Sequence, residues 1–375
     1  MSHPLRRACW LALTGIAALT VAGCGPDRSD AEASPPAGAS AADAGDEDAP
    51  ALMTFQEAHM GTQFTTRLWA APSQAESARA AAREAFARVA SLESVFSDYQ
   101  ADSEIVRLAA QPAGATVPVS PDLFTLLDRA QTLARETGGA FDITVGPMVR
   151  LWRQARKNHR LPTPDRVAEA RARTGWDKLE LDRETPAVRL LAHPMQLDFG
   201  GIAKGYAADA ALAVLRQRGF PRALVAASGD IVLGDPPPGR DAWQVGIRSL
   251  DVADDRAEPG ALTGSVPLAH AAISTSGDTQ QAITLDGVRY SHIVDTRTAL
   301  GLTHRIAATV IGPDATTTDS YATTVCVLGR EKGLAFIESK PGVECLILEA
   351  DDATGQIIET RSSGFPATDS PPQPE

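Results

Sequence analysis

In the run TTTDSYATTVCVLG, Asp319 and Thr323 stand four residues apart, so a helix would turn a carboxylate and a hydroxyl to one face. Hard oxygen donors of this kind suit Mg²⁺, which leaves part of its coordination shell to phosphate and water. Plain helix capping, with an aspartate in the first turn and a partly buried threonine behind it, explains the same pattern. A second segment, LDFGGIAKGYAADAALAVLRQRG, places Gly200, Gly201 and Lys204 ahead of a helical run. Paired glycines let a backbone turn sharply or approach a ligand, and a helix start offers unpaired N–H groups to an anion. Lys204 adds a positive charge, and Asp198 can hydrogen-bond a ribose or a base. A Walker A loop is excluded, because Lys204 is followed by Gly205 and Tyr206 rather than Ser or Thr. An ordinary strand-to-helix turn with a solvated lysine accounts for this segment equally well.

Two further segments carry chemistry. RYSHIVDTRT sets His292 close to Asp295, and a histidine titrating near neutrality can take the proton of an attacking hydroxyl. A lone histidine is more often structural. GGAFDITVGPMVRLW offers Phe141 for stacking and Asp142 as an acceptor, or is simply a glycine-rich helix terminator. Rival chemistries lack their motifs: no G-x-S-x-G elbow and no G-x-G-x-x-G between strand and helix occurs. Four cysteines, at 9, 24, 326 and 345, form no C-x-x-C pair, and seven histidines form no H-E-x-x-H, which argues against structural zinc. A net charge of −12 and a pI near 5.1 argue against nucleic acid as a partner.

The elements that must position these residues mix helix and strand. MTFQEAHMGTQFTTRLWA predicts two strands around a Met60-Gly61 turn, and SQAESARAAAREAFARVASLESVFS has helical period. SPDLFTLLDRAQTLARETGG predicts a helix with Ser120 as N-cap and Pro121 first, ending at Gly138. RALVAASGDIVLG, WQVGIRS and AAISTSG read as short strands, and QAITLDGVRYSHIVDT as a hairpin turning at Asp286-Gly287. Strands outnumber βαβ units, so the pattern favours an α+β fold with mixed or antiparallel sheets over a doubly wound one. Ser-Gly-Asp triplets at 228–230 and 276–278 hint at an internal duplication.

The chain ends read differently. MSHPLRRA is a basic n-region, CWLALTGIAALTVA an apolar core, and VAGC closes on Cys24, so residues 1–23 read as a signal peptide with a lipobox. Cys24 would then be lipidated and become the mature N-terminus; a signal peptide with a chance cysteine is the alternative. Residues 24–50 hold seven acidic side chains against one arginine and read as a disordered tether of roughly 30 Å. Residues 361–375 read as a disordered tail, which leaves 51–360 as the folded part. Cys326 and Cys345 sit in apolar runs as buried free thiols, with a bridge between them left open. This address implies a cell-envelope protein anchored to a bacterial membrane, its folded domain outside the cytoplasmic membrane. Gly25 after the cysteine mildly favours the outer membrane of a two-membraned cell.

Taken in order, HMGTQF, FSDYQADSEIVRL, GGAFDITVGPMVRLW, LDFGGIAKGYAAD, ALVAASGDI, ISTSGD, YSHIVDTRT and TTTDSYATTVCVLG resemble the ApbE family, the FAD:protein FMN transferases. The resemblance runs from about residue 55 to 330. It implies a single catalytic domain that takes FAD as substrate with Mg²⁺ and moves its FMN half onto a threonine of an exported protein. Such an acceptor would be a subunit of a membrane redox complex, and AMP would leave. Carried over by position, Met60, Tyr99, Ala140, Phe141, Asp142, Asp198, Lys204, His292 and Ile293 would line the flavin-nucleotide site. Asp319, Thr323 and the carbonyl of Gly201 would hold the metal. His292, held by Asp295, is the candidate base for the attacking threonine. The chain departs from the family at Ser228, Ile143, Thr279, Thr296 and Ala299; none is a metal ligand, and the altered loop after His292 bears on acceptor choice. Two other readings use the same residues: FAD pyrophosphatase chemistry releasing FMN and AMP, and a flavin-binding lipoprotein without chemistry. A metal pair and a base argue against the last.

Overall fold

Eight of the short apolar stretches hydrogen-bond into one sheet. The computed structural model describes residues 48–250, 262–277, 282–351 and 354–369. The expected signal peptide, Cys24 and the acidic tether up to residue 47 lie outside them. The strands are β1 (Ala51–His59), β2 (Thr62–Ala70), β3 (Ala223–Ala227), β4 (Asp230–Leu233), β5 (Ala272–Gly277), β6 (Ile306–Gly312), β7 (Glu344–Ala350) and β8 (Ile357–Arg361). They pair in chain order, and every pair is antiparallel. The α+β architecture is therefore a meander with insertions in its connections.

Turn chemistry sets the register. Met60 and Gly61 both have positive φ, +50° and +72°, as a two-residue hairpin between β1 and β2 requires. RALVAASGDIVLG, expected as a short strand, breaks into the β3–β4 hairpin because Ser228 adopts φ +60°. All five β3 residues are buried: Ala223, Val225 and Ala227 face one core, Leu224 and Ala226 the other. Period-two alternation is hidden there because both sheet faces are covered.

Among the described residues the helices are α1 (Ala75–Phe96), α2 (Glu104–Ala109), α3 (Pro121–Glu136), α4 (Gly146–Asn158), α5 (Pro164–Ala172), α6 (Ala203–Gln217), α7 (Ala315–Leu328) and α8 (Arg330–Glu338). Ser120 caps α3, its Oγ accepting from Leu123 N at 3.3 Å, and the helix stops ahead of Gly138 and Gly139 in left-handed geometry. Helices α1 and α6 bury an apolar stripe against β2 and β3, while α7 and α8 cover β6 and β7. The opposite face is closed by a hairpin of Trp243–Arg248 and Leu262–Leu268, whose Trp243, Val245 and Val266 pack on Leu224, Ile273 and Leu346.

A smaller apolar cluster stands apart. Met148, Leu151, Trp152 and Ala155 of α4 pack with Leu285, Tyr290, Val294 and Ala299 from the β5–β6 connection. That connection contains the expected hairpin, with Asp286 and Gly287 at φ +50° and +78°. The indole of Trp152 donates to Ser291 O at 2.9 Å and ties the connection to α4.

The Ser-Gly-Asp triplets take different settings: the first spans the β3–β4 turn, while Ser276 and Gly277 of the second end β5 and Asp278 lies outside the described residues. One expectation is corrected: residues 361–369 are structured rather than part of a disordered tail. Ser362 exchanges hydrogen bonds with Cys345, Phe365 enters the core under the Trp243 hairpin, and Asp369 pairs with Ser265. Composition hid this, since one phenylalanine among serines and prolines is a weak burial signal. Cys326 and Cys345 are buried free thiols.

Candidate active site

The segment before α6 is extended coil rather than a strand. Asp198 N donates to Ile143 O at 2.8 Å, and its carboxylate turns back to accept from Gly200 N at 2.8 Å, bracing the glycine pair. The other oxygen, Oδ2, lies 3.0 Å from Arg153 Nη2. Burial pushes the Asp198 carboxyl up, and Arg153 pulls it back. Arg153 also pairs with Asp98 and lies 4.7 Å over the ring of Tyr99, which is 77% exposed.

Lys204 is ion-paired rather than free in solvent. Its Nζ sits 2.8 Å from Asp230 Oδ2 and 3.5 Å from Asp319 Oδ2, and both carboxylates are almost fully buried. Burial works against the ammonium charge, but the two carboxylates outweigh it and raise the lysine pKa. Burial and the charge of Asp230 push the Asp319 carboxyl up to about 7, against the pull of Lys204. Gly205 N donates to the same Asp319 oxygen at 3.1 Å. This requires α6 and α7 to touch: a Cβ on Gly205 would stand 2.1 Å from Ala315 O. Asp209 of α6 fastens the contact by accepting from Ala315 N and Thr316 N at the start of α7.

One turn beyond Asp319, Thr323 Oγ1 lies 3.1 Å from Ser276 Oγ. Gly201 abuts it, since a Cβ there would be 3.0 Å from the same hydroxyl. Thr323 and Gly201 thus meet at the wall of a cavity, with Asp319 one helical turn behind Thr323. Among the described residues no group of three or more His, Cys, Asp and Glu is placed to hold a metal.

The cavity, of about 320 Å³, lies between the glycine pair, α4 and the β5–β6 connection. Tyr99, Ala140, Phe141, Asp142, Asp198, Gly201, His292, Ile293 and Thr323 all line it. Phe141 is buried, and Asp142 accepts from Thr144 N and Oγ1 at 2.8 and 2.7 Å; burial pushes its carboxyl up. Met60 is not among that lining; it sits at the β1–β2 turn against the large core, to which Phe141 also belongs. Asp319, buried, and Lys204, partly exposed, lie behind that lining.

His292 presents an imidazole whose Nδ1 has no hydrogen-bond partner among the described residues. Burial, with the charges of Arg156 and Lys204, pushes its pKa down to about 4, so the ring is neutral near pH 7 and able to accept a proton. The expected brace from Asp295 is not formed. Both Asp295 oxygens are taken by Arg297, at 2.8 Å from its N and 3.0 Å from Nε and Nη2. The turn after Asp295 folds the arginine two positions on back over the carboxylate.

Sequence reasoning missed Arg153 and Arg156 in the cavity wall, and Asp230 and Ser276 behind it. The two arginines had a signal: they lie three apart on α4, whose other side carries Leu151, Trp152 and Ala155. Asp230 and Ser276 had none beyond their triplets, because their partners are distant in sequence.

A sequence profile of the ApbE family matches residues 60–347. The chain is 33% identical over 306 residues to a Treponema pallidum (strain Nichols) protein named FAD:protein FMN transferase, covering 78% of this chain and 83% of that one. A Vibrio cholerae protein of the same name is 32% identical over 278 residues, with 72% and 78% covered. Among solved structures, the flavin transferase ApbE from Vibrio cholerae superimposes with a TM-score of 0.73 at 28% identity, over 84% of this chain and 98% of that one. The apo form of Pseudomonas stutzeri flavinyl transferase ApbE gives 0.71 at 28% identity, over 84% and 95%.

Proposed function

The chain belongs to the ApbE family, and on that footing we propose that it transfers FMN from FAD to a threonine side chain of an exported protein, releasing AMP. The observation that carries this reading is a single cavity joining stacking surfaces, Tyr99 and Phe141, to a neutral partnerless histidine and to Thr323 and Gly201. The threonine Oγ would attack the phosphorus of the FMN half, the bond from that phosphorus to the AMP phosphate oxygen would break, and the threonine proton would pass to His292. In such a transfer catalysis is mostly positioning and charge neutralisation.

The residues fit a divalent cation. Asp319, Thr323 and the Gly201 carbonyl are hard oxygen donors, and Lys204 alone does not offset the burial and the Asp230 charge that push the Asp319 carboxyl up, so further positive charge would be accepted there. Mg²⁺ held there would neutralise pyrophosphate charge and favour the leaving AMP. The protein contacts of Asp319 are at Oδ2, so Oδ1 is the oxygen offered to a ligand. Lys204 acts from behind, holding Asp230 and Asp319 in place. Asp198 and Asp142 would orient ribose or base groups. Through its signal peptide and lipidated Cys24, the enzyme would be tethered at a bacterial membrane, acting in the envelope on a redox-complex subunit.

The test is mass spectrometry of a candidate acceptor incubated with the folded domain, FAD and Mg²⁺. An acceptor heavier by one FMN on threonine, with the adduct lost on chelation or in Asp319→Ala, is expected. FMN and AMP released without an adduct on any exported candidate would replace transfer by hydrolysis. FAD recovered intact would remove the catalytic reading.

A further inference from the structure

We propose that Arg156 is the side chain that reads the phosphates of the bound nucleotide, an inference that rests on the nucleotide reading above. Among the described residues three cations lie in or just behind the cavity wall, and two are already committed. Lys204 is held by Asp230 and Asp319, and Arg153 by Asp98 and Asp198. Arg156 lines the cavity partly buried, and its guanidinium has neither ion pair nor hydrogen bond among the described residues. It lines the same cavity as Tyr99 and His292, and its charge acts on both.

A guanidinium in a concave, half-enclosed wall loses hydration without recovering it from a counter-ion. A ligand carrying adjacent anionic oxygens would supply one, and a planar fork suits two oxygens of one phosphate or of neighbouring phosphates. Uncharged ring systems would not. The backbone that carries Arg156 is rigidly placed: Ala155 and Trp152 are buried beside it, and the bond from Trp152 to Ser291 O ties α4 to the residue preceding His292. The backbones that carry Arg156 and His292 are therefore held relative to one another, so a phosphate on the first lies in the same cavity as the second.

The experiment compares wild type, Arg156→Met and Arg156→Lys for binding of FAD and of riboflavin, which has the same ring and no phosphate. Arg156→Met is expected to weaken FAD by about 10- to 100-fold, the usual worth of one charge-assisted contact, and to leave riboflavin unchanged. Arg156→Lys should recover only part of the loss. Equal weakening of both ligands, or of neither, overturns the assignment. Wild type that binds riboflavin but not FAD would sink the nucleotide reading and this inference together, whereas FAD binding without transfer leaves this inference standing and the proposed reaction not.

Discussion

His292 and Lys204 show how burial decides what a side chain can do. Folded His292 titrates at about 4 instead of 6.5, so the unfolded chain takes the proton first. Its contribution is intact above about pH 6.5 and is lost as the pH falls towards 4, up to ~3 kcal/mol in all. Urea unfolding at pH 7 and pH 4.5 should show a steeper acid loss for wild type than for His292→Gln; equal losses would mean the ring is not buried neutral. Lys204→Met leaves Asp230 and Asp319 facing each other with no cation, which should cost about 3–5 kcal/mol, read as a lower denaturation midpoint. A lysine that merely faced solvent would cost almost nothing. At this scale residue type was legible and partnership was not. His292 and Asp319 stood out as chemistry-bearing residues, but nothing local in GGIAKGY says that Lys204 is neutralised by carboxylates from β4 and α7. Asp295 was assigned to His292 by sequence proximity, and Arg297, nearer in space, takes it.

Helix contacts bring their own tolerances. Gly205 sits where α6 crosses α7, and Gly205→Ala would force a methyl to 2.1 Å from Ala315 O and 2.9 Å from Asp319 Cβ. Something must move, at about 3 kcal/mol or more, and Asp319 moves with it. Gly219→Ala, with φ +86° and no atom within 4 Å of the added Cβ, should cost only ~1 kcal/mol. Thermal unfolding of the two variants separates close approach from backbone strain; equal losses would sink the packing account. Elements with local rules were readable from sequence, such as the Met60-Gly61 and Asp286-Gly287 hairpins and the Ser120 cap. β3 and β4 were not resolved into two strands, because sheet faces covered on both sides erase the alternation that marks a strand.

Across the whole molecule, the C-terminal segment matters more than its composition suggests. A chain stopped at Arg361 loses the Ser362–Cys345 bonds, the buried Phe365 ring and the Asp369–Ser265 pairing. It should be about 3 kcal/mol less stable than a chain stopped at Asp369, measured by denaturant titration; equal midpoints would make that segment dispensable. The α+β class could be read from the excess of strands, whereas the strictly sequential strand order could not, since strand partners lie on either side of long insertions whose helices pack back on the sheet. One connection differs from the rest. The first hairpin must find β3 across an insertion running from residue 71 to residue 222, while every later strand meets its neighbour over a shorter distance. Closing a long loop early is entropically costly, and contacts far apart in sequence form slowly. As the chain leaves the ribosome, β1 and β2 are therefore made first and seated late: β2 keeps an open edge until Ala223–Ala227 has been synthesised, and the nascent protein is most exposed to edge-to-edge association in that interval.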